Sequence, residues 1–396
     1  MRQAVIVDAV RTPIARAHPD KGWFRDVRSD ELGIIVVRAL VKRSHLDGGQ
    51  IEDVVLGCAN QTGEQAMNAA RYIAIMSGLP FEVAAQTVNR QCASGMTALH
   101  SGAQAIMTGC GDVIIAGGIE SMTHLPEGAG ANLNPRRFDF VDRSSSSMGL
   151  TAENLADMYG IPRREQEEFA LRSHQKAIAA QEALRFRDEI VPVEVPSENS
   201  GTRTIDTDQN PRPYTSLELM AALEPITRPG GTVTAATASQ ASDGAAAVLL
   251  MSEQKAKELG VKPMARVVSM SVAGVDPRLM GLGMVQAARK ALRRAGLTID
   301  DVDIAELNEA FAAVAIAAIR ELGVAQDRVN PNGGAIALGH PMGCTGARLV
   351  TTLVHEMVRR QARYGLAAMC VGMGQGAATI LELASWGHSE TESVGP

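Results

Sequence analysis

Short apolar runs bounded by glycine or polar turns alternate along this chain with longer amphipathic stretches. DVIIAGG (112–118), GAAAVLLM (244–251), LAAMCVG (366–372) and GAATILEL (376–383) carry almost no polar position. That pattern predicts strands buried on both faces. Between such runs lie stretches of helical period: ASGMTALHSGAQAIMTG (93–109), ARKALRRAG (288–296) and ARLVTTLVHEMVRRQ (347–361). NEAFAAVAIAAIREL (308–322) is apolar nearly all round and predicts a buried helix. Strands alternating with helices predict an α/β architecture.

The pattern occurs twice. Residues 37–61 and 288–309 each read as a helix with basic residues on one face, a turn, an Asp-Val pair and a strand. Val88-Asn89 and Val329-Asn330 each open a loop that leads into a helix and then an apolar strand. The copies differ at one joint. LAAMCVGMG runs almost directly into QGAATILEL, which predicts a hairpin, whereas DVIIAGG and GAAAVLLM are separated by residues 122–241. Ordinary connections run roughly 2–6 residues, so 122–241 reads as an inserted domain. The expected division is 1–121 with 242–263 as one core, 122–241 as the insertion, and 264–396 as the second core. Two copies about a pseudo-twofold axis would bring their loops to one shared crevice.

Composition narrows the function classes. Hydrophobic residues make up 45% of 396 residues and charged ones 21%, which excludes wholesale disorder. The net charge of −6 argues against a nucleic-acid footprint. No apolar stretch approaches the ~18 residues of a membrane span. The N-terminus reads as a strand and not as a leader, so a cytoplasmic location is expected. Five widely spaced cysteines fit a reducing compartment, and no metal-ligand spacing predicts a bound ion.

Four residues stand out for chemistry. Cys92 sits at a strand-to-helix turn, where a helix N-terminus would lower a thiol pKa and activate a nucleophile; the alternative is a buried free thiol. His340 lies in the Gly-rich loop NPNGGAIALGHPMGCTGAR and would serve as base to a thiol, or is an exposed loop histidine. Cys370 ends an apolar strand and points to the usual ligand crevice of an open sheet, or packs in the core. Asn308 occupies the equivalent strand tip and would hold a water or a substrate oxygen, or caps a helix. GMGQG lies between two strands, so a dinucleotide site is discounted, and Cys58 and Cys110 read as packing.

VNRQCASGM, MGLTAEN, TASQASDGAA, NEAFA, NGGAIALGHPMGCTGAR and CVGMGQG, in this order and spacing, resemble the thiolase family over almost the whole chain. The resemblance implies duplicated βαβαβαββ cores in a five-layer α-β-α-β-α arrangement with a loop domain over the active site. It implies Cys92 as the acyl-carrying nucleophile, His340 as its base, Cys370 as the proton carrier for the α-carbon, and Asn308 as holder of a water. The backbone N–H groups of Cys92 and Gly372 match a second oxyanion hole. Ser239 and Arg212 match positions near pantetheine and the adenine nucleotide. Met148 and Met280 match channel-lining positions, and Phe311 falls with them as a substrate-binding residue.

The implied reaction is thiolysis of 3-ketoacyl-CoA in fatty-acid β-oxidation, with acetoacetyl-CoA as the alternative substrate. A scaffold that only binds CoA would be expected to lack Cys92, His340 or Cys370. No metal or prosthetic group is implied; coenzyme A is a substrate. A homodimer or homotetramer, and a hydratase–dehydrogenase partner in some bacterial relatives, are implied too. The chain departs from the family at Ala236-Thr237, where relatives often have Gly-Asn. It departs also in CASG around the nucleophile and at Ser147, where some biosynthetic relatives carry His.

Overall fold

The computed structural model describes residues 2–197 and 201–384. The strands are β1 (Ala4–Arg11), β2 (Ala15–Arg16), β3 (Asp53–Gly57), β4 (Ala84–Val88), β5 (Val113–Ser121), β6 (Val193–Pro196), β7 (Thr202–Ile205), β8 (Ser242–Ser252), β9 (Ala265–Gly274), β10 (Ile304–Leu307), β11 (Tyr364–Val371) and β12 (Gln375–Leu383). The helices are α1 (Ser29–Ser44), α2 (Ala69–Met76), α3 (Ser94–Thr108), α4 (Met148–Tyr159), α5 (Arg163–Glu182), α6 (Leu217–Ala221), α7 (Glu253–Glu258), α8 (Leu282–Ala295), α9 (Ala312–Leu322), α10 (Ala335–Leu338) and α11 (Met342–Arg360).

The duplication is visible in the strand pairing. β3 runs parallel to β5, and β10 runs parallel to β11. β11 and β12 form the expected hairpin, closing at Val371↔Gln375. β5 and β8 make the same antiparallel pair, Val113↔Met251 to Ser121↔Asp243, although the insertion separates them in sequence. Identical pairing across a tight turn in one half and across 122–241 in the other means that the strands, not the connection, set the register. The turns before β3 and β10 match as well, each carrying a capping box, Asp47 with Gln50 and Thr298 with Asp301.

The halves meet edge to edge where β1 pairs β9 over two positions, Val5↔Arg266 and Ile6↔Ala265. The result is one continuous ladder in the order β10-β11-β12-β9-β1-β8-β5-β3-β4, with β2 on β8. Three apolar cores define the layering. One lies between β1, β5 and β8 and the outer helices α1 and α2, and another between β10, β11 and β12 and α8. The middle core buries α3 and α11 against each other and against strands of both halves. Gly118 permits this middle packing: a Cβ there would stand 2.1 Å from the Gly343 carbonyl oxygen.

The α/β fold is as the pattern predicts, and the buried helix expected over 308–322 is present as α9 but starts only at Ala312, residues 308–311 forming the turn before it. Residues 122–241 hold α4, α5, the β6–β7 hairpin and α6. The division at 121, 241 and 263 is retained as a proposal; its residues 1, 198–200 and 385–396 lie outside the described residues. Cys110 departs from expectation. It follows the Gly109 cap that ends α3, beyond the buried face, and is exposed, not packed.

Candidate active site

Cys92 is held by a tight turn between β4 and α3. Asn89 Oδ1 accepts from the Gln91 N–H at 2.8 Å, and Ser94 Oγ accepts from the Arg90 N–H at 2.9 Å while donating to the Gln91 carbonyl at 2.6 Å. These bonds support Gln91 in the left-handed region, φ 45°, directly before the cysteine. Such a conformation costs about 1–3 kcal/mol for a side-chain-bearing residue and persists where its surroundings over-determine it. It turns Cys92 out of the helix into a cavity.

Facing it is the loop that carries His340. Its backbone N–H donates to the Gln240 carbonyl at 2.9 Å, at the entry to β8. Gly339, with φ 108°, makes the approach. Buried Glu120 ties the segment after β3 to the start of α11, just past His340. Its carboxylate accepts the N–H groups of Ala59 at 2.9 Å, Asn60 at 3.2 Å and Gly343 at 2.7 Å, and the Gln65 amide at 2.7 Å. Cys370 sits near the end of β11, and Gly372 opens the turn into β12, where Met373 and Gly374 have φ of 61° and 75°.

A cavity of about 170 Å³ lies at this seam, lined by Cys92, His340, Cys370, Gly372, Ser239, Met148, Met280 and Phe311, together with Met122, Glu127, Ala241, Ala310 and Met342. Eight positions singled out in the sequence therefore converge. Asn308 does not line the cavity. It is fully buried just past β10, its N–H bonded to the Ala368 carbonyl at 3.0 Å, and neither its Oδ1 nor its Nδ2 has a protein partner. Arg212 stays outside. It is exposed, beside Arg16, and donates to Gln240 Oε1 at 3.0 Å; Gln240 adjoins the cavity residue Ser239. Among the residues not foreseen, Met122 follows β5 at a strand tip, where ligands of open sheets sit. Glu127 belongs to an irregular loop with no sequence signal.

A second cavity of about 610 Å³ shares Cys92, Glu127, Met148, Met342 and Gly372 with the first. It continues past Ala131, Leu133 and Met373, with Asn89, Gln91 and Arg137 at its polar side. Cys92 thus stands at the junction of two spaces.

The electrostatics correct one expectation. The Cys92 thiol is not acidified; burial, helped by Glu127, pushes its pKa up to about 12. The N–H groups of Gly372 and of Cys92 itself bond to the sulfur and favour thiolate, but they do not outweigh desolvation. Burial and the neighbouring Cys92 likewise raise Cys370 to about 12. Burial, with Arg348 nearby, lowers His340 to about 4. At neutral pH the site holds two thiols and a neutral imidazole. It can move a proton from sulfur to ring, store a second proton on Cys370, and meet a developing oxyanion with two backbone N–H groups. Among the described residues no group of three or more His, Cys, Asp or Glu is placed to hold a metal ion, and no helix is long and apolar enough to cross a membrane.

Residues 4–254 match the family model described as thiolase, N-terminal domain, and residues 261–383 match thiolase, C-terminal domain. A protein of Marinobacter nauticus named 3-ketoacyl-CoA thiolase is 49% identical over 386 residues, covering 96% of this chain and 98% of the relative. One of Shewanella loihica with the same name is 50% identical over 389 residues, covering 97% and 100%. A crystal structure of the Bacillus anthracis acetyl-CoA acetyltransferase superposes with a TM-score of 0.89 at 40% identity, over 97% of this chain and 99% of that one.

Proposed function

The chain belongs to the thiolase family of acyltransferases, and from that premise we propose that it cleaves 3-ketoacyl-CoA by thiolysis in fatty-acid β-oxidation, through an acyl group carried on Cys92. His340 takes the Cys92 proton as the sulfur attacks C3. The N–H groups of Cys92 and Gly372 already bond to that sulfur, so an oxyanion on the attached carbon falls within their reach. The thioester oxygen is met by His340 and by a water on Asn308, whose buried amide is otherwise unpartnered. The C2–C3 bond breaks and Cys370 gives its proton to C2, releasing acetyl-CoA. A raised thiol pKa suits this step, because the proton is in place at neutral pH. Incoming CoA then gives its thiol proton to the Cys370 thiolate and attacks the acyl carbonyl. Cys92 leaves as the shortened acyl-CoA forms and recovers its proton from His340. Ser239, Met148, Met280 and Phe311 line the cavity for pantetheine, and Arg212, outside it and bonded to Gln240 beside Ser239, serves the adenine nucleotide.

The observation that carries the degradative reading is the second cavity. Acetoacetyl-CoA leaves only a methyl group beyond its reacting carbonyl, whereas about 610 Å³ opens beside the nucleophile and is lined in part by Leu133, Met148, Met342 and Met373. Each methylene buried there is worth ~0.8 kcal/mol. A ten-carbon 3-ketoacyl-CoA is therefore expected to exceed acetoacetyl-CoA in kcat/KM by at least about tenfold. Steady-state thiolysis of the two substrates decides it; preference for the four-carbon substrate would reassign the chain to acetoacetyl-CoA.

A second prediction concerns pH. With its pKa lowered to about 4, His340 stays neutral, and so a competent base, at every pH well above that value. The acid limb of kcat/KM that belongs to this ring is expected below about pH 5. A limb centred at its ordinary 6.5 in the pH–rate profile would show that burial does not hold the ring neutral.

A further inference from the structure

We propose that Thr345 is a positioning residue that fixes the tautomer of His340. The proposal rests on the reading of His340 as base to Cys92. His340 Nδ1 lies 2.7 Å from Thr345 Oγ1, and the same oxygen lies 2.8 Å from the Pro341 carbonyl oxygen. The ring is 8% exposed and Thr345 is fully buried. A hydroxyl owns one hydrogen, and a carbonyl owns none. Two oxygens at 2.8 Å without a hydrogen between them would set lone pair against lone pair, so the Thr345 hydrogen points at Pro341. Towards the ring, Thr345 can then only accept. Nδ1 therefore carries the hydrogen and Nε2 keeps its lone pair.

That assignment decides what the ring can do. Only the unprotonated nitrogen takes a proton from a thiol, and His340 lines the cavity with Cys92. The opposite tautomer would leave Nε2 blocked by its own hydrogen. Thr345 stands in the first turn of α11, four residues after Pro341. Its side chain therefore bonds back to the i−4 carbonyl, an arrangement that adds little to helix stability. The hydroxyl is thus better explained by the ring than by the helix.

The test is Thr345→Val, which keeps the branched shape and removes the acceptor. The variant is expected to lose roughly 10–100-fold in kcat, with KM for both substrates unchanged and the fold intact at the assay temperature. Thr345→Ser, which restores the hydroxyl, is expected to restore kcat. Nitrogen-15 spectra of histidine-labelled, unliganded protein should show His340 as the Nδ1–H form in the parent chain and in Thr345→Ser, and a changed ring signal in Thr345→Val. Full kcat in Thr345→Val, a loss that Thr345→Ser does not recover, or an Nε2–H ring in the parent chain would each overturn the proposal. The tautomer is read without turnover, so a parent chain that failed to transfer acyl groups would refute the reading of the site and leave this measurement standing.

Discussion

Cys92→Ser is expected to lower thiolysis on the order of 10⁴-fold or more while leaving the fold intact. The size follows from the protonation balance of the site. The parent thiol is already poorly acidic, at about 12, and its base is weak, at about 4. Attack therefore depends on moving a proton uphill as the sulfur meets the carbonyl. A serine hydroxyl is less acidic still and less nucleophilic, and the same imidazole would have to deprotonate it. If an oxygen ester did form, CoA would have to displace a worse leaving group than a thiolate. The substitution changes one atom, in a side chain that fills space between the cavity and the middle core. Circular dichroism and melting temperature are accordingly expected to match the parent. Thiolysis within tenfold of the parent would remove Cys92 from the reaction.

Much of this arrangement is legible in the sequence, for a physical reason. A strand buried on both faces has almost no freedom in its polar pattern, so β5, β8, β11 and β12 announce themselves. Because two copies are present, the hairpin of one explains the interrupted pair of the other. Cys370, at the end of β11, and Asn308, just past the neighbouring β10, then have predictable positions. Cys92, His340 and Gly372 lie in turns between elements already placed. What sequence does not carry is the balance of competing terms at a point. The helix start behind Cys92 suggests an acidic thiol, but the degree of burial and the approach of Glu127 depend on how the inserted segment folds back over the site. The second cavity is hidden for the same reason, since its wall at Ala131, Leu133 and Arg137 comes from an irregular loop without periodicity. Thr345 reads as an ordinary helix residue until its oxygen is found between a carbonyl and a ring nitrogen.

Arg11→Ala is expected to destabilise the protein by about 3–5 kcal/mol, a large fraction of the roughly 5–15 kcal/mol that holds a typical domain folded. Arg11 is fully buried at the end of β1, with its guanidinium over the Phe186 ring at 4.9 Å. It donates to Glu189 Oε1 at 2.6 Å, and to the two Asp208 oxygens at 2.7 Å and 2.9 Å. Both carboxylates belong to residues 122–241, so one core side chain neutralises two charges brought in by the insertion. Burial pulls the guanidinium pKa down, and Asp208 and Glu189 more than reverse that pull. Removing Arg11 leaves Asp208 with the Ile14 N–H and Glu189 with the Thr352 hydroxyl, and leaves two buried carboxylates without a counter-charge. The penalty arises mainly from those stranded charges and not from lost attraction, because desolvation consumes most of what a buried ion pair gains. The triple variant Arg11→Met, Glu189→Gln, Asp208→Asn, which carries no charge, is therefore expected to recover most of the loss. Urea unfolding of the parent, the single variant and the triple variant measures both differences. Equal destabilisation in the single and triple variants would mean that the cluster stabilises through its specific bonds and packing, and that stranded charge is the smaller effect.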